Sequence, residues 1–216
     1  MSLFHSPSLV TSGLVLCLDA GNPKSYPGSG TTWTDLSGRG NHGTLVNGPT
    51  FNSANGGSIV FDGSNDYVGL TAGLLSGTGD FTVSQWIQGV NSSYGTTFGN
   101  YPDGNLELFF GESYVAMWLA NSSAYTYAAY YTANWVMFTC LRSGTVTQVY
   151  KNTTVIQTGS SSADIGGTTT QFRLGTNTIG TERYIGKIGT THVYPRALSA
   201  AEVRQNFNAL RGRYGV

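Results

Sequence analysis

The sequence predicts an all-β sandwich of antiparallel strands with one short helix at its C-terminal end. Three observations carry that prediction. The 216 residues include 30 glycines and 13 tyrosines beside abundant Ser, Thr and Asn, a composition that suits short strands joined by many turns. From Thr78 onward, short half-apolar runs alternate with turn residues at regular intervals, which is the spacing of a sandwich. One stretch alone reads as helix. Ser199 followed three residues later by Glu202 forms a capping box, and Val203, Phe207 and Leu210 then recur on one helical face.

Residues Met1 to Ser12 are polar and aperiodic and read as a flexible arm, with residues 13–216 forming a single domain. Gly13 to Asp19 is a strand with Leu14, Leu16 and Leu18 on one side and Val15 and Cys17 on the other. A long Gly/Pro/Asn/Ser connection follows, anchored by Tyr26, Trp33 and Leu36. Phe61 to Leu70 reads as strand, turn, strand, with Asp62, Asn65 and Asp66 supplying the turn. Further strands are expected at Phe81 to Val90, Leu106 to Phe110, Tyr114 to Leu119, Tyr125 to Tyr131, Trp135 to Arg142, Val146 to Lys151, Gln171 to Leu174 and Tyr184 to Tyr194. Pro195 then ends the last strand, because it has no amide proton to give a ladder.

Several function classes are excluded by the same text. Charged residues make up only 10% and balance at 11 of each sign with no basic run, so the field that holds a phosphate backbone is missing and no nucleic-acid partner is expected. The apolar run at Leu14 to Leu18 is far too short to span a bilayer, and no basic segment leads into a long apolar one. Neither membrane insertion nor a signal peptide is expected, and the chain should be soluble. Cys17 and Cys140 read as small buried hydrophobes. The three histidines are scattered without a nucleophile motif or zinc spacing.

Four stretches carry a family resemblance: a leading LDA strand, W-x-DLSG-x-GN-x-GTL from Trp33, FDG-x-x-DYV from Phe61, and the closing strand with Tyr-x-Arg-Ala-Leu-Ser from Tyr194. In this order they resemble the laminin-G-like jelly rolls of the concanavalin A-like lectin/glucanase superfamily, and FTVSQWI and WVMFTCLRSG resemble its central strands. In detail the chain looks most like single-domain versions encoded by tailed bacteriophages. The resemblance implies a concanavalin A-like jelly roll, with the first strand beside the last and the helix docked by Val203 and Phe207. It also implies a surface protein of a virion, decorating capsid or tail, whose partners are other virion proteins. The family usually sets an Asp-Glu pair after the isoleucine of the closing strand, where this chain has Gly189 and Thr190.

Alternation along the strands assigns candidate site residues. Val115, Met117 and Leu119 face the core, which turns Tyr114 and Trp118 outward; Phe81, Val83 and Ile87 do the same for Trp86; Leu106, Leu108 and Phe110 do so for Glu107 and Phe109. If these strands share a sheet, one open face carries Trp86, Glu107, Phe109, Tyr114 and Trp118, with Tyr125, Tyr127 or Tyr130 nearby. Aromatic rings flanked by carboxylates suit a pyranose, whose apolar face stacks on a ring while polar neighbours orient its hydroxyls. A glycan or host-surface ligand is one reading; packing under a loop, or a homo-oligomer contact in a purely structural jelly roll, is the other. Neutral charge and many tyrosines favour a surface covered in use, hence a homo-oligomer or a lattice-docked module.

An enzyme reading rests on ELFFGE at Glu107 to Glu112. It resembles the Glu-x-Asp-x-x-Glu motif of family-16-type glucanases, which would make Glu107 the nucleophile and Glu112 the acid/base of a retaining hydrolase. Phe109 stands where the middle Asp belongs, so a binding module, not an enzyme, is expected. Asp62, Asn65 and Asp66 are also a candidate calcium set, since they offer hard oxygens; turn formation explains them equally.

Overall fold

The computed structural model describes residues 7–89, 95–111, 114–119, 126–129 and 134–216. In chain order its strands are β1 (Leu16–Asp19), β2 (Thr32–Trp33), β3 (Gly43–Val46), β4 (Thr50–Asn52), β5 (Ser58–Asp62), β6 (Tyr67–Gly69), β7 (Phe81–Gly89) and β8 (Gly95–Gly99). They continue with β9 (Leu106–Phe110), β10 (Tyr114–Leu119), β11 (Thr126–Ala129), β12 (Val136–Ser143), β13 (Val146–Lys151), β14 (Thr154–Ser160), β15 (Arg173–Leu174) and β16 (Ile185–Tyr194). The helix α1 spans Ala200–Tyr214.

Two eight-stranded sheets face each other. The first runs β14-β13-β12-β7-β16-β5-β4, with β1 also on β16; the second runs β11-β10-β9-β8-β15-β6-β3-β2. The first, which the helix covers, is the closed sheet and the second the open sheet. The ladder pairs described are antiparallel, and Leu16 lies opposite Val193 in the pairing of β1 with β16, as the resemblance implied. Leu16, Leu18, Phe61, Phe81, Val83, Ile87, Leu108, Phe110, Val115 and Met117 join one apolar core between the sheets. Gln85 is buried in that core and bridges the sheets, its amide donating to the Thr97 carbonyl at 3.2 Å and the Thr191 hydroxyl at 3.1 Å. A buried amide without such partners would cost about 1–3 kcal/mol.

The W-x-DLSG-x-GN stretch is a local stitch. Asp35 accepts from the amides of Cys17, Ser37 and Asn41 at 2.8, 2.9 and 3.0 Å, and the Asn41 side chain donates to the Val15 carbonyl at 2.7 Å. These bonds fasten the long connection to the start of β1, so one acidic side chain does the work of a ladder where the chain is too irregular to make one.

The helix forms where its capping box predicts. The Ser199 hydroxyl accepts from the Glu202 amide, and the Glu202 carboxylate accepts from the Ser199 amide at 2.9 Å and from Arg196 at 2.6 Å. Val203, Phe207, Leu210 and Tyr214 form its buried stripe and close a second apolar cluster against the outer face of the closed sheet. Residues of the expected arm take part. Val10 is buried, its amide donates to Asn206 Oδ1 at 2.8 Å, and its carbonyl accepts from the Tyr194 hydroxyl at 2.9 Å. Cys17 belongs to this outer cluster and Cys140 to the core between the sheets, both as free thiols.

Gly189 lies under the end of the helix. A Cβ at this position would lie 2.2 Å from the Tyr214 hydroxyl, so the end of the helix seats only on a glycine. The register of β16 against β7 shifts between Ile188 and Thr190, which leaves Gly189 as the unpaired residue of a bulge.

Candidate functional site

The helix and the N-terminal residues cover the closed sheet from outside, so Trp86 is not on an open face. Its relative exposure is 0%, and its ring stacks on Phe207 and on Tyr214 with centroids 5.6 and 4.4 Å away. This corrects the expectation that Trp86 shares a face with Trp118. Alternation told correctly that Trp86 points away from the core between the sheets, but β7 lies in the closed sheet and β10 in the open one. The apolar stripe of α1 needs a partner surface, and Trp86 is part of it.

The outer face of the open sheet brings the other candidates together. Trp118 on β10 lies directly opposite Glu107 on β9, with Ala116 opposite Phe109. Their neighbours Leu108, Met117 and Leu119 are in the core, which fixes Glu107, Phe109 and Trp118 on the outer side. Tyr101, from the connection of β8 to β9, stands edge-on to Trp118 with centroids 4.7 Å apart and planes at 87°. Fully buried Asn100 shapes that connection, accepting from the Leu106 amide and donating to the Ile165 carbonyl, each at 2.8 Å. Glu182 completes an open cleft of about 130 Å³ lined by Tyr101, Glu107, Phe109, Trp118 and Glu182.

The cleft floor is a pair of carboxyl groups. The Thr96 hydroxyl donates to Glu107 Oε1 and lies 3.4 Å from Glu182 Oε2. The Thr96 amide donates to the Glu182 carbonyl at 3.1 Å and so brings Glu182, from the segment before β16, into the site. Burial, and then the hydrogen bond with Glu182, push Glu107 up to about 9, so its carboxyl is protonated at neutral pH. A protonated Glu107 donates, and a Glu182 carboxylate accepts. That proton is shared within the pair, so the remaining carboxyl oxygens line the cleft as acceptors beside Tyr101, Phe109 and Trp118.

Tyr114 and Tyr127 fall at register positions of β10 and β11 opposite Ala129 and Ala116, and their side chains lie outside the described residues. Glu112, Tyr125 and Tyr130 lie outside them as well. Asp62, Asn65 and Asp66 are used by their own turn. Asp62 Oδ1 accepts from the Ser64 amide at 2.7 Å, Asp66 Oδ2 from the Asp62 amide at 3.2 Å, and the Asn65 carbonyl from the Asn47 side chain at 2.9 Å. Among the described residues, no group of three or more His, Cys, Asp or Glu side chains gathers to hold a metal ion. Glu182 was missed by sequence reading because it lies on no recognisable strand; its only signal is a lone carboxylate in a Gly/Thr/Asn-rich run.

The fold and this face define a β-sandwich of lectin architecture, one sheet covered by a helix and the other left uncovered by helix among the described residues. The family model described as the concanavalin A-like lectin/glucanases superfamily, of laminin G type, matches residues 62–204 of the 216, and the chain belongs to that family. A comparison with curated proteins found no match. Among solved structures, Domain 4 of AbnA, an extracellular GH43 arabinanase from Geobacillus stearothermophilus in complex with arabinotriose, is 20% identical with a TM-score of 0.70, covering 89% of this chain and 97% of that one. The binding domain of Paraclostridial Mosquitocidal Protein 1 is 15% identical with a TM-score of 0.70, covering 92% and 52%. The binding domain of Botulinum Neurotoxin DC in complex with SialylT is 14% identical with a TM-score of 0.72, covering 93% and 52%. The chain spans about half the length of these toxin domains. At such identities the likeness is one of fold. No described helix is long and apolar enough to cross a membrane.

Proposed function

We propose that this protein is a non-enzymatic, lectin-like module that binds glycan in the cleft of the open sheet. The observation that carries the reading is the half-buried Trp118 ring, braced edge-on by Tyr101, in one cleft with the Glu107–Glu182 pair. A sugar ring stacks on such an indole while its hydroxyls donate to the carboxyl oxygens of the pair. The arabinotriose complex of one structural neighbour supports the reading. So does the protonation of Glu107, because a retaining hydrolase needs its nucleophile ionised.

The resemblance to phage-encoded domains supports a role on the surface of a virion, adhering to the host cell and docked on other virion proteins or on copies of itself. Mass spectrometry of purified virions from the source tests that placement, and absence of the chain would remove it. The glycan reading is tested by a glycan array with a melting curve on Trp118→Ala. Loss of one stacking contact of about 1 kcal/mol weakens binding several-fold and leaves stability nearly unchanged. No glycan hit, together with a large loss of stability, would instead make the face a structural packing surface.

A further inference from the structure

The outer face of the open sheet carries a second pocket in line with the first. The register runs from Trp118 to Glu107, from Glu107 to Gly99 on β8, from Gly99 to Arg173 on β15, and from Arg173 to Gly69 on β6. Leu174 and Val68, the chain neighbours of Arg173 and Gly69, are in the core, so Arg173 stands on the same outer side as Trp118. Three strand spacings separate the Trp118 and Arg173 backbones, roughly 14 Å. Gly99 lies between them and Gly69 beyond Arg173, and the segment 177–182, joined to the Tyr101 carbonyl through Thr178, stands between the two pockets.

At the Arg173 end lies a pocket of about 210 Å³ whose lining includes Tyr67, Arg173, Thr176, Ile179 and Arg183 and no acidic side chain. The Arg173 guanidinium sits over the Tyr67 ring, 4.4 Å from its centroid, and makes one long hydrogen bond to the Asn177 carbonyl at 3.3 Å. Arg183 donates to the Gly180 carbonyl at 2.8 Å. Neither is in a salt bridge among the described residues, where Arg196 and Arg213 take the two that form. The buried Thr176 hydroxyl has no partner, and Ile179 is 59% exposed at the rim.

The segment between the two pockets is firmly held. Thr178 donates to the Tyr101 carbonyl from its amide at 2.8 Å and from its hydroxyl at 2.7 Å, and Asn177 and Thr181 exchange bonds of 2.8 and 2.9 Å. That segment turns Glu182 into one pocket and Arg183 into the other. One guanidinium on β15 and a second at the end of the braced segment, neither in a salt bridge, are preorganised for an oxyanion.

We propose that the Arg173–Arg183 pocket is an anion subsite, and that the open sheet binds an acidic oligosaccharide laid across its strands, an uncharged ring on Trp118 and a carboxylate or sulfate between the arginines. The inference rests on the glycan reading and adds the class of glycan and its direction, since the Trp118 end is lined by carboxyl groups and no cation. The test is calorimetric titration of the full chain with a neutral oligosaccharide and with the same oligosaccharide carrying a terminal carboxylated sugar or a sulfate. The charged forms should bind about tenfold tighter or more, and the advantage should shrink with added salt and in Arg173→Gln and Arg183→Gln. The carboxylated and sulfated arms tell which anion fits. Melting curves confirm folding, and exposed Arg183 supplies a variant that spares the Tyr67 stack. Equal binding of neutral and charged forms, or an advantage that survives both substitutions, overturns the anion subsite and leaves the glycan reading standing. Absence of binding in every arm overturns both.

Discussion

The rings of Trp86 and Tyr214 lie nearly parallel, 18° apart in plane with centroids 4.4 Å apart, and join the middle of β7 to the last turn of the helix. Removing the indole leaves a cavity between Phe207 and Tyr214 that the helix cannot close without leaving its sheet. Trp86→Ala should therefore cost about 3–5 kcal/mol of stability in a denaturant titration. Ligand binding at the open sheet, measured under folding conditions, should be unchanged. A loss below 1 kcal/mol would mean that the helix is not docked through this stack.

The contrast between Trp86 and Trp118 shows what the sequence made legible. Period-2 reading placed both side chains on the correct side of their strands, and the capping box at Ser199 located the helix start. The closeness of the first strand to the last, seen in the pairing of Leu16 with Val193, was implied by the family resemblance. Alternation carries no information on which sheet a strand joins, however, so it could not tell the covered indole from the open one. Strands β8, with its Gly-Thr-Thr-Phe-Gly sequence, and β14, without a buried residue, lack the apolar alternation that announces a strand. The site suffered similarly. Glu182, Arg173 and Tyr67 reach the open face only through the register of β8, β15 and β6, a long-range pairing that no local pattern encodes.

Gly189 and Tyr214 should be energetically coupled. A methyl group at Gly189 meets the Tyr214 hydroxyl and ring at 2.2–2.9 Å, so Gly189→Ala should destabilise by about 1–3 kcal/mol through overpacking. In a Tyr214→Ala background the same change has nothing to strike and should cost far less. A double-mutant cycle by chemical denaturation reads the coupling, expected at 0.5 kcal/mol or more in magnitude; strict additivity would refute the steric account.

The first residues of the described chain should stabilise the domain and not only extend from it. Asn206 is buried and its side chain accepts from the Val10 amide while donating to the Tyr194 hydroxyl at 3.1 Å, and that hydroxyl in turn donates to the Val10 carbonyl. Asn206→Ala leaves the Val10 amide without its acceptor and should cost about 1–3 kcal/mol. Deleting residues 1–10 should cost a similar amount in the parent and much less in Asn206→Ala, as thermal melts of the four proteins would show.

Two buried groups should make stability depend on pH in opposite directions, nearly cancelling between about pH 4.5 and 6.5 and leaving a fall as pH rises above that range. His192 is buried under the helix near Asp19 and Arg213, and burial lowers it from 6.5 to about 4. The folded chain keeps it neutral where the unfolded chain protonates it, so its contribution is present above about pH 6.5 and is lost as pH falls through about 4. Glu107 acts in the opposite direction. Its ordinary value of 4.5 is raised to about 9 by burial and by Glu182, so the native state holds a proton that the unfolded state has released. That contribution is complete below about pH 4.5 and is lost as pH rises through about 9, with a slope from one group of at most ~1.4 kcal/mol per pH unit. Glu107→Gln keeps a donor toward Glu182 but cannot ionise. In urea titrations between pH 5 and 9 the parent should lose stability progressively relative to this variant; parallel curves would show that Glu107 is ionised in the folded protein, and the cleft floor would then be two carboxylates instead of a pair sharing one proton.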